Sequence, residues 1–234
     1  MIDGTDGNFY YRIAMNGDIS EPPVVRMINS LLNEFDSPTF VDIGAHIGYY
    51  TIYVGNLVGG RGSVVAIEPN KRYFATLKKN IEINGIEGRT KAYNMALSDK
   101  IGKANMGGEG GRYFTQSDTG NVEVISFDEL CENENIKPDI VKIDVYGAEV
   151  NVLLGMTKTL SRYVKHMFLE THRTDLMHGF DIYDVLKILK DYNLEVFEIT
   201  DFREEHGGKL VPVSNDTFRD FKEYYDRMLY IRRA

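Results

Sequence analysis

The sequence predicts an α/β fold, a mainly parallel sheet with helices on both faces, and three observations lead there. From Thr39 onward, short apolar segments alternate with longer amphipathic ones, the order that βαβ crossovers impose. The short segments are nearly unbroken apolar runs, as in Phe40-Val41, Val64-Val65-Ala66-Ile67 and Met167-Phe168-Leu169, which is how strands buried on both faces read. Between the first run and the helix after it lies a glycine-bearing turn, Gly44 to Gly48.

The elements follow in order. The stretch through Ser20, rich in Gly, Asp and Asn, reads as loop or short strands. Glu21-Pro-Pro then leads into Val24, Val25, Ile28, Leu31 and Leu32 at helical spacing, and proline suits a first turn whose amides have no partner. This helix covers the core and ends before Ser37-Pro38. Thr39 to Ile43 is a strand and Ile47 to Val58 a helix, stopped by Gly59-Gly60. Ser63 to Glu68 is the second strand, Asn70 to Asn84 a helix stopped by Gly85, and Lys91 to Leu97 the third strand. Gly102 to Val124 is glycine-rich and keeps no helical period, so turns with short hairpin strands are expected. Phe127 to Glu132 is a short helix, Ile140 to Val145 a strand, Ala148 to Leu160 a helix and His166 to Thr171 a strand. Asp181 to Tyr192 is a helix, and Glu195 to Thr200 and Met228 to Arg232 are the last strands.

Bulk properties narrow the function. The 234 residues, 43% hydrophobic and 26% charged, suit one ordinary globular domain. No apolar run approaches the roughly 18 residues that span a membrane, and the start of the chain lacks the basic and apolar stretches of a signal peptide. A single cysteine, Cys131, excludes an intramolecular disulfide and a thiolate metal cluster, which fits a reducing cytoplasm. Lys and Arg number 27 against 35 Asp and Glu, a net charge of −8. That field repels phosphate backbones and favours small-molecule substrates over nucleic acid. Lys71-Arg72 and Lys78-Lys79 read as a solvated helix face. Assembly into a homo-oligomer stays open.

The turn Asp42-Ile-Gly-Ala-His-Ile-Gly48 lies at the place where open α/β sheets bind ligands, outside the carboxyl ends of the strands. Gly44 suits a tight turn, and the helix start after Gly48 offers free amides to an anion. Glu68 ends the second strand in Ile67-Glu68-Pro69-Asn70. An acid at that place, roughly 20 residues past the glycines, accepts hydrogen bonds from both ribose hydroxyls of a nucleoside. The dinucleotide fingerprint G-x-G-x-x-G is not met, because Ala45 and His46 follow Gly44. Asp42 would also repel a pyrophosphate, whereas it suits the ammonium and sulfonium side of S-adenosylmethionine. NAD is therefore the second choice.

The blocks Val41-Asp-Ile-Gly-Ala-His-Ile-Gly-Tyr-Tyr-Thr51, Ala66-Ile-Glu-Pro-Asn70 and Asn94-Met-Ala-Leu-Ser-Asp99 resemble the motifs of class I methyltransferases, specifically the FkbM family. Pro138-Asp-Ile-Val-Lys-Ile-Asp-Val-Tyr-Gly-Ala-Glu149 resembles that family's second signature, and Phe168-Leu-Glu-Thr-His172 fits the strand after it. The resemblance implies a Rossmann-like sheet of about seven strands with the last antiparallel, and S-adenosylmethionine as methyl donor. It implies a single methyltransferase domain over 1–234, with 1–38 a covering N-terminal segment and 39–234 the core. Gly44 and Gly48 would line the methionine part, Glu68 would hold the ribose, and Ala96, Leu97 and Ser98 would flank the adenine, with Asp42, Ala45, His46, Tyr50, Thr51, Pro69, Asn70 and Asp144 also expected at the cofactor. Family members usually carry Glu where this chain has Tyr146.

Four residues are candidates for the chemistry: Lys142, Asp144, Glu170 and His172. Lys142 and Asp144 share one strand face, and buried ions of this kind are rarely left unpaired. Asp144, nearer the ligand end, could hold the methionine amino group, orient a hydroxyl or act as base. A structural ion pair is the competing reading for Lys142. Glu170 and His172 alternate along the next strand, and His172 has the ring to move a proton near neutrality. Glu149 is equally a helix-start residue and a site residue. These acids match no metal-ligand spacing, so no metal is expected. The leading expectation is O-methylation of a hydroxyl on a small molecule such as a sugar or glycosylated metabolite. The alternatives are an RNA or protein methyltransferase, and a nucleoside-binding module without catalysis.

Overall fold

The computed structural model describes residues 20–107, 113–117, 119–177, 179–213 and 226–233; the expectation of loops or short strands before Ser20 falls outside them. Helix α1 (Pro22–Leu32) begins at the two prolines. There follow β1 (Thr39–Ile43), α2 (Tyr49–Val58), β2 (Ser63–Ile67), α3 (Lys71–Ile83) and β3 (Thr90–Tyr93). The short strands β4 (Met95–Leu97), β5 (Gly102–Gly107), β6 (Tyr113–Gln116) and β7 (Val122–Ile125) precede α4 (Phe127–Glu134) and β8 (Ile140–Ile143). The chain closes with α5 (Glu149–Leu154), α6 (Thr157–Arg162), β9 (His166–Thr171), α7 (Ile182–Asp191), β10 (Leu194–Ile199), β11 (Leu210–Pro212) and β12 (Arg227–Arg233).

Among the described residues, eight strands form the main sheet in the order β11-β10-β12-β9-β8-β1-β2-β3. The ladders from β9 to β3 are parallel. The last strand, β12, runs antiparallel to both β9 and β10, as expected. The eighth strand is β11, a three-residue edge piece paired antiparallel to β10, too short to show a period in the sequence. From β1 the chain winds outward to β2 and β3 on one side and to β8 and β9 on the other. The switch point, where α/β folds bind ligands, therefore lies between β1 and β8.

Alternate residues of each strand feed two cores, as the period of two requires. Val41, Ile43, Val65, Val141, Ile143, Met167 and Leu169 pack with α4, α5, α6 and α7. Phe40, Val64, Ile140 and Phe168 pack with α1 and α2 through Val24, Ile28, Leu32, Val54 and Val58. Each fully buried aliphatic side chain contributes roughly 1.5–3 kcal/mol, so both layers hold the strand ends in place. Among the described residues no helix is long and apolar enough to cross a membrane.

Two elements break where the sequence period runs on. The third strand splits at Asn94, whose side-chain amide donates to the carbonyls of Glu68 and Pro69. Beyond it, β4 leaves the main sheet and pairs with β7 in a second sheet, β4-β7-β5-β6. The expected helix from Ala148 to Leu160 divides at Gly155, where a Cβ would sit 2.3 Å from the Ser98 carbonyl. Asp128 then caps α6, accepting from the amides of Lys158 and Thr159.

Candidate active site

At the end of β1, Asp42 is buried and accepts from the Thr51 amide at 3.0 Å and the Thr51 hydroxyl at 2.6 Å. It thereby fixes the first turn of α2. Burial pushes its carboxyl up to about 6, against the hydrogen bond from Thr51 and the charge of Lys142. Gly44 follows with φ 83, and a Cβ there would stand 1.8 Å from the Asp144 carbonyl oxygen. Only glycine lets the turn after β1 pass this close to the end of β8. Ala45 packs on Ile52 and Leu77, His46 on the Tyr73 ring at 3.9 Å, and Gly48 precedes the first residue of α2.

Glu68 stands at the end of β2. One carboxylate oxygen accepts the His46 amide at 2.8 Å and the other the Asn70 amide at 2.7 Å. The acid thus ties the glycine turn to the start of α3. Burial, opposed by those two amides, pushes its carboxyl up to about 7. The Asn70 side chain caps α3 by accepting from the Arg72 and Tyr73 amides, and Pro69 offers its carbonyl to Asn94. Ala96, Leu97 and Ser98 follow the break at Asn94. Ala96 packs inside the small sheet with Ala104, Val122 and Val124, Leu97 lies in the larger core, and the buried Ser98 donates to Asp99.

The four candidates for chemistry converge beside this turn. Lys142, 1% exposed, lies 3.5 Å from Asp144 and 3.8 Å from Glu170, with its ammonium 5.1 Å from the centre of the Tyr50 ring. Burial works against its charge, but Asp144, Glu21, Glu170 and Asp42 together raise its pKa above the ordinary lysine value. Asp144 keeps a 36% exposed side chain and faces the mouth. Partial desolvation would raise it, but the charges of Lys142 and His172 prevail and hold it below the usual range. Glu170 is pushed up to about 8 by burial and by the charge of Asp144, so the neighbouring acids keep one proton between them near neutrality. His172 Nδ1 donates to Glu149 Oε1 at 2.6 Å, and its Nε2 lies 3.6 Å from Asp144. Burial pulls its pKa down, yet the Glu149 hydrogen bond and the charges of Glu149, Asp144 and Glu170 push it up to about 9.

Two participants carry no motif. Glu21, at the start of α1 with φ 51, accepts from the Tyr50 hydroxyl. Arg203, after β10, donates to Glu170 at 2.7 Å and lies 3.5 Å from Asp226. It lines an open cleft of about 340 Å³ with Glu198, Phe202, Asp226 and Arg227. Neither has a sequence signal, because each reaches the site through tertiary packing alone.

The Methyltransferase FkbM domain matches residues 42–210, a span that runs from the acid of the glycine turn past the cluster to the edge strand. The chain belongs to the FkbM methyltransferase family. This FkbM-family protein is accordingly an S-adenosylmethionine-dependent methyltransferase. It is 29% identical over 202 residues to the hexuronic acid methyltransferase AglP of Haloferax volcanii, covering 84% of this chain and 78% of that protein. Its fold is shared with the magnesium protoporphyrin IX methyltransferase of Synechocystis, solved with bound S-adenosylmethionine. That likeness has TM-score 0.52 and 14% identity, over 99% of this chain and 86% of that one. It is shared too with an S-adenosylmethionine-dependent O-methyltransferase of Thermotoga maritima, at TM-score 0.51 and 14% identity over 95% and 70% of the two chains.

Proposed function

We propose that this FkbM-family enzyme transfers a methyl group from S-adenosylmethionine to a hydroxyl of a small molecule of the sugar class. One observation carries the reading. The nucleoside-type acid Glu68 and the ionisable cluster around Asp144 stand at strand ends flanking the same glycine turn. The donor set fits the cofactor: Glu68 has a lone pair left on each oxygen after its two amide contacts, enough for two ribose hydroxyls. The carboxylates of Asp42 and Asp144 supply negative potential where an ammonium and a sulfonium would lie. Glu68 would hold the ribose, Asp144 the methionine amino group or the acceptor, and the backbone from Gly44 to Gly48 the methionine part.

When bound, S-adenosylmethionine supplies a methyl group already activated on a sulfonium, so positioning does most of the work. Asp144 is the group that takes the proton of the acceptor hydroxyl. It is ionised, partly exposed and at the mouth, whereas Lys142, Glu170 and His172 all hold protons near neutrality. A carboxylate is basic enough because the hydroxyl becomes strongly acidic as its oxygen gains a bond to carbon. Lys142 and His172 keep Asp144 charged and fix its direction.

The sugar class is supported by the relative named a hexuronic acid methyltransferase, and the acidic net charge disfavours nucleic acid. The cleft beside Arg203 gives room for the rest of such an acceptor. The lone buried thiol of Cys131 suits the reducing cytoplasm. Incubation with S-adenosylmethionine and a panel of glycosides and uronic acids, read by mass spectrometry, tests the proposal. Addition of one methyl at a hydroxyl supports it; methylation of RNA or protein alone defeats it.

A further inference from the structure

Glu149 opens α5, where a carboxylate ordinarily faces solvent and favours the positive end of the helix. Here it is 0% exposed. Its Oε1 accepts the Gly147 amide at 2.9 Å and contacts His172 Nδ1 at 2.6 Å. Its Oε2 is buried with no hydrogen-bond partner among the described residues. A carboxylate buried this way is costly unless a cation lies against it, and the cation at hand is the His172 imidazolium. Tyr146 covers the same ring, centroid to centroid 4.4 Å, from a backbone with φ 51. With Nδ1 engaged and Tyr146 against the ring, Nε2 is left facing Asp144 at 3.6 Å. That is near enough for charge and too long for a direct hydrogen bond.

We infer that Glu149 is the positioning residue of the transfer, holding His172 in the charged state and orientation that keep Asp144 aimed at the acceptor. The inference rests on the reading of Asp144 as the group that takes the acceptor's proton. Glu149 touches neither acceptor nor cofactor in this scheme and acts only through the imidazole. The groups that face His172 are Glu149 from α5, Asp144 beyond β8 and Glu170 on β9, with Tyr146 against its ring. Those that face Asp144 are Lys142, Glu170 and His172. A pair serving packing alone is replaceable by apolar side chains of similar volume at little loss. Such a pair has no reason to present a nitrogen to the exposed acid at the mouth.

The test has two arms. Histidine NMR on the wild-type protein should show His172 charged at neutral pH, titrating near 9 with a hydrogen-bonded Nδ1 proton. A neutral His172 at pH 7 in an enzyme that methylates hydroxyls overturns the inference and leaves the proposed function standing. The second arm is Glu149→Gln. Its alkaline loss of kcat should move from near 9 toward the ordinary histidine value of about 6.5, lowering kcat at pH 8 about tenfold or more while restoring most of it at pH 6. The KM for S-adenosylmethionine should not change. An equal loss of kcat at every pH would assign Glu149 a structural role only. A wild-type enzyme that methylates no hydroxyl acceptor defeats the proposed function, and the inference with it.

Discussion

Lowering the pH below about 7 should weaken S-adenosylmethionine binding through one side chain, Glu68. Its carboxyl is pushed up to about 7 by burial, and only the ionised form can accept both ribose hydroxyls. Binding is therefore full above that pKa and falls as the pH drops through it. For a group at about 7 in the free enzyme and far lower in the complex, Kd scales as one plus ten to the power (pKa − pH). That gives about 11-fold weakening at pH 6 and about 1.1-fold at pH 8, a difference of about tenfold or 1.4 kcal/mol. Glu68→Gln removes the ionisation and leaves one amide facing an NH2 group in place of an oxygen. It should bind about 1–3 kcal/mol more weakly at pH 8 and lose most of the pH dependence. Asp42, raised to about 6, titrates in both proteins and cancels in the comparison. Calorimetry at three pH values reads both quantities. A wild-type Kd unchanged between pH 6 and 8, or a variant with the wild-type slope, would refute the reasoning.

Three further outcomes follow from the same geometry. His172, raised from 6.5 to about 9, adds stability that is fully present below pH 6.5 and disappears as the pH rises through 9, about 3 kcal/mol in all. Urea unfolding of wild type and His172→Gln should show their gap closing by about that amount between pH 6 and 10; a constant gap would count against a charged His172. Gly44→Ala drives a Cβ to within 1.8 Å of the Asp144 carbonyl at φ 83. It should cost about 3 kcal/mol or more from strain and overpacking, seen as a lowered Tm, and wild-type stability would contradict the packing described. Asp128→Ala strips the cap from Lys158 and Thr159 and should cost about 2 kcal/mol. Because Asp128 bonds Gly155, Thr157, Lys158 and Thr159 rather than Glu68 or the cluster around Asp144, kcat should hold under conditions where the variant is folded.

The layered sheet was legible because β1, β2, β8 and β9 are mostly apolar and buried on both faces, and that pattern owes nothing to distant contacts. Glu68 was legible by its place, one residue beyond a strand that follows the glycine turn. The breaks at Asn94 and Gly155 were not, since each is set by a carbonyl from another part of the chain. Arg203 was missed for a similar reason: it meets Glu170 across 33 residues of sequence, with no spacing rule to link them. Glu149 was only half legible. Its position at a helix start has a common structural explanation, and only its full burial against His172 separates the two readings. Tyr146, where the family usually has Glu, packs on the His172 ring and so remains part of the cluster.

The most direct test of the account follows a labelled methyl group from S-adenosylmethionine in the wild-type enzyme and in Asp144→Asn. Label should appear on a sugar hydroxyl with the wild type. The variant should stay folded and bind the cofactor more weakly, while at saturating cofactor its kcat falls about 100-fold or more. Undiminished transfer by Asp144→Asn, or label found only in RNA or protein, would contradict it.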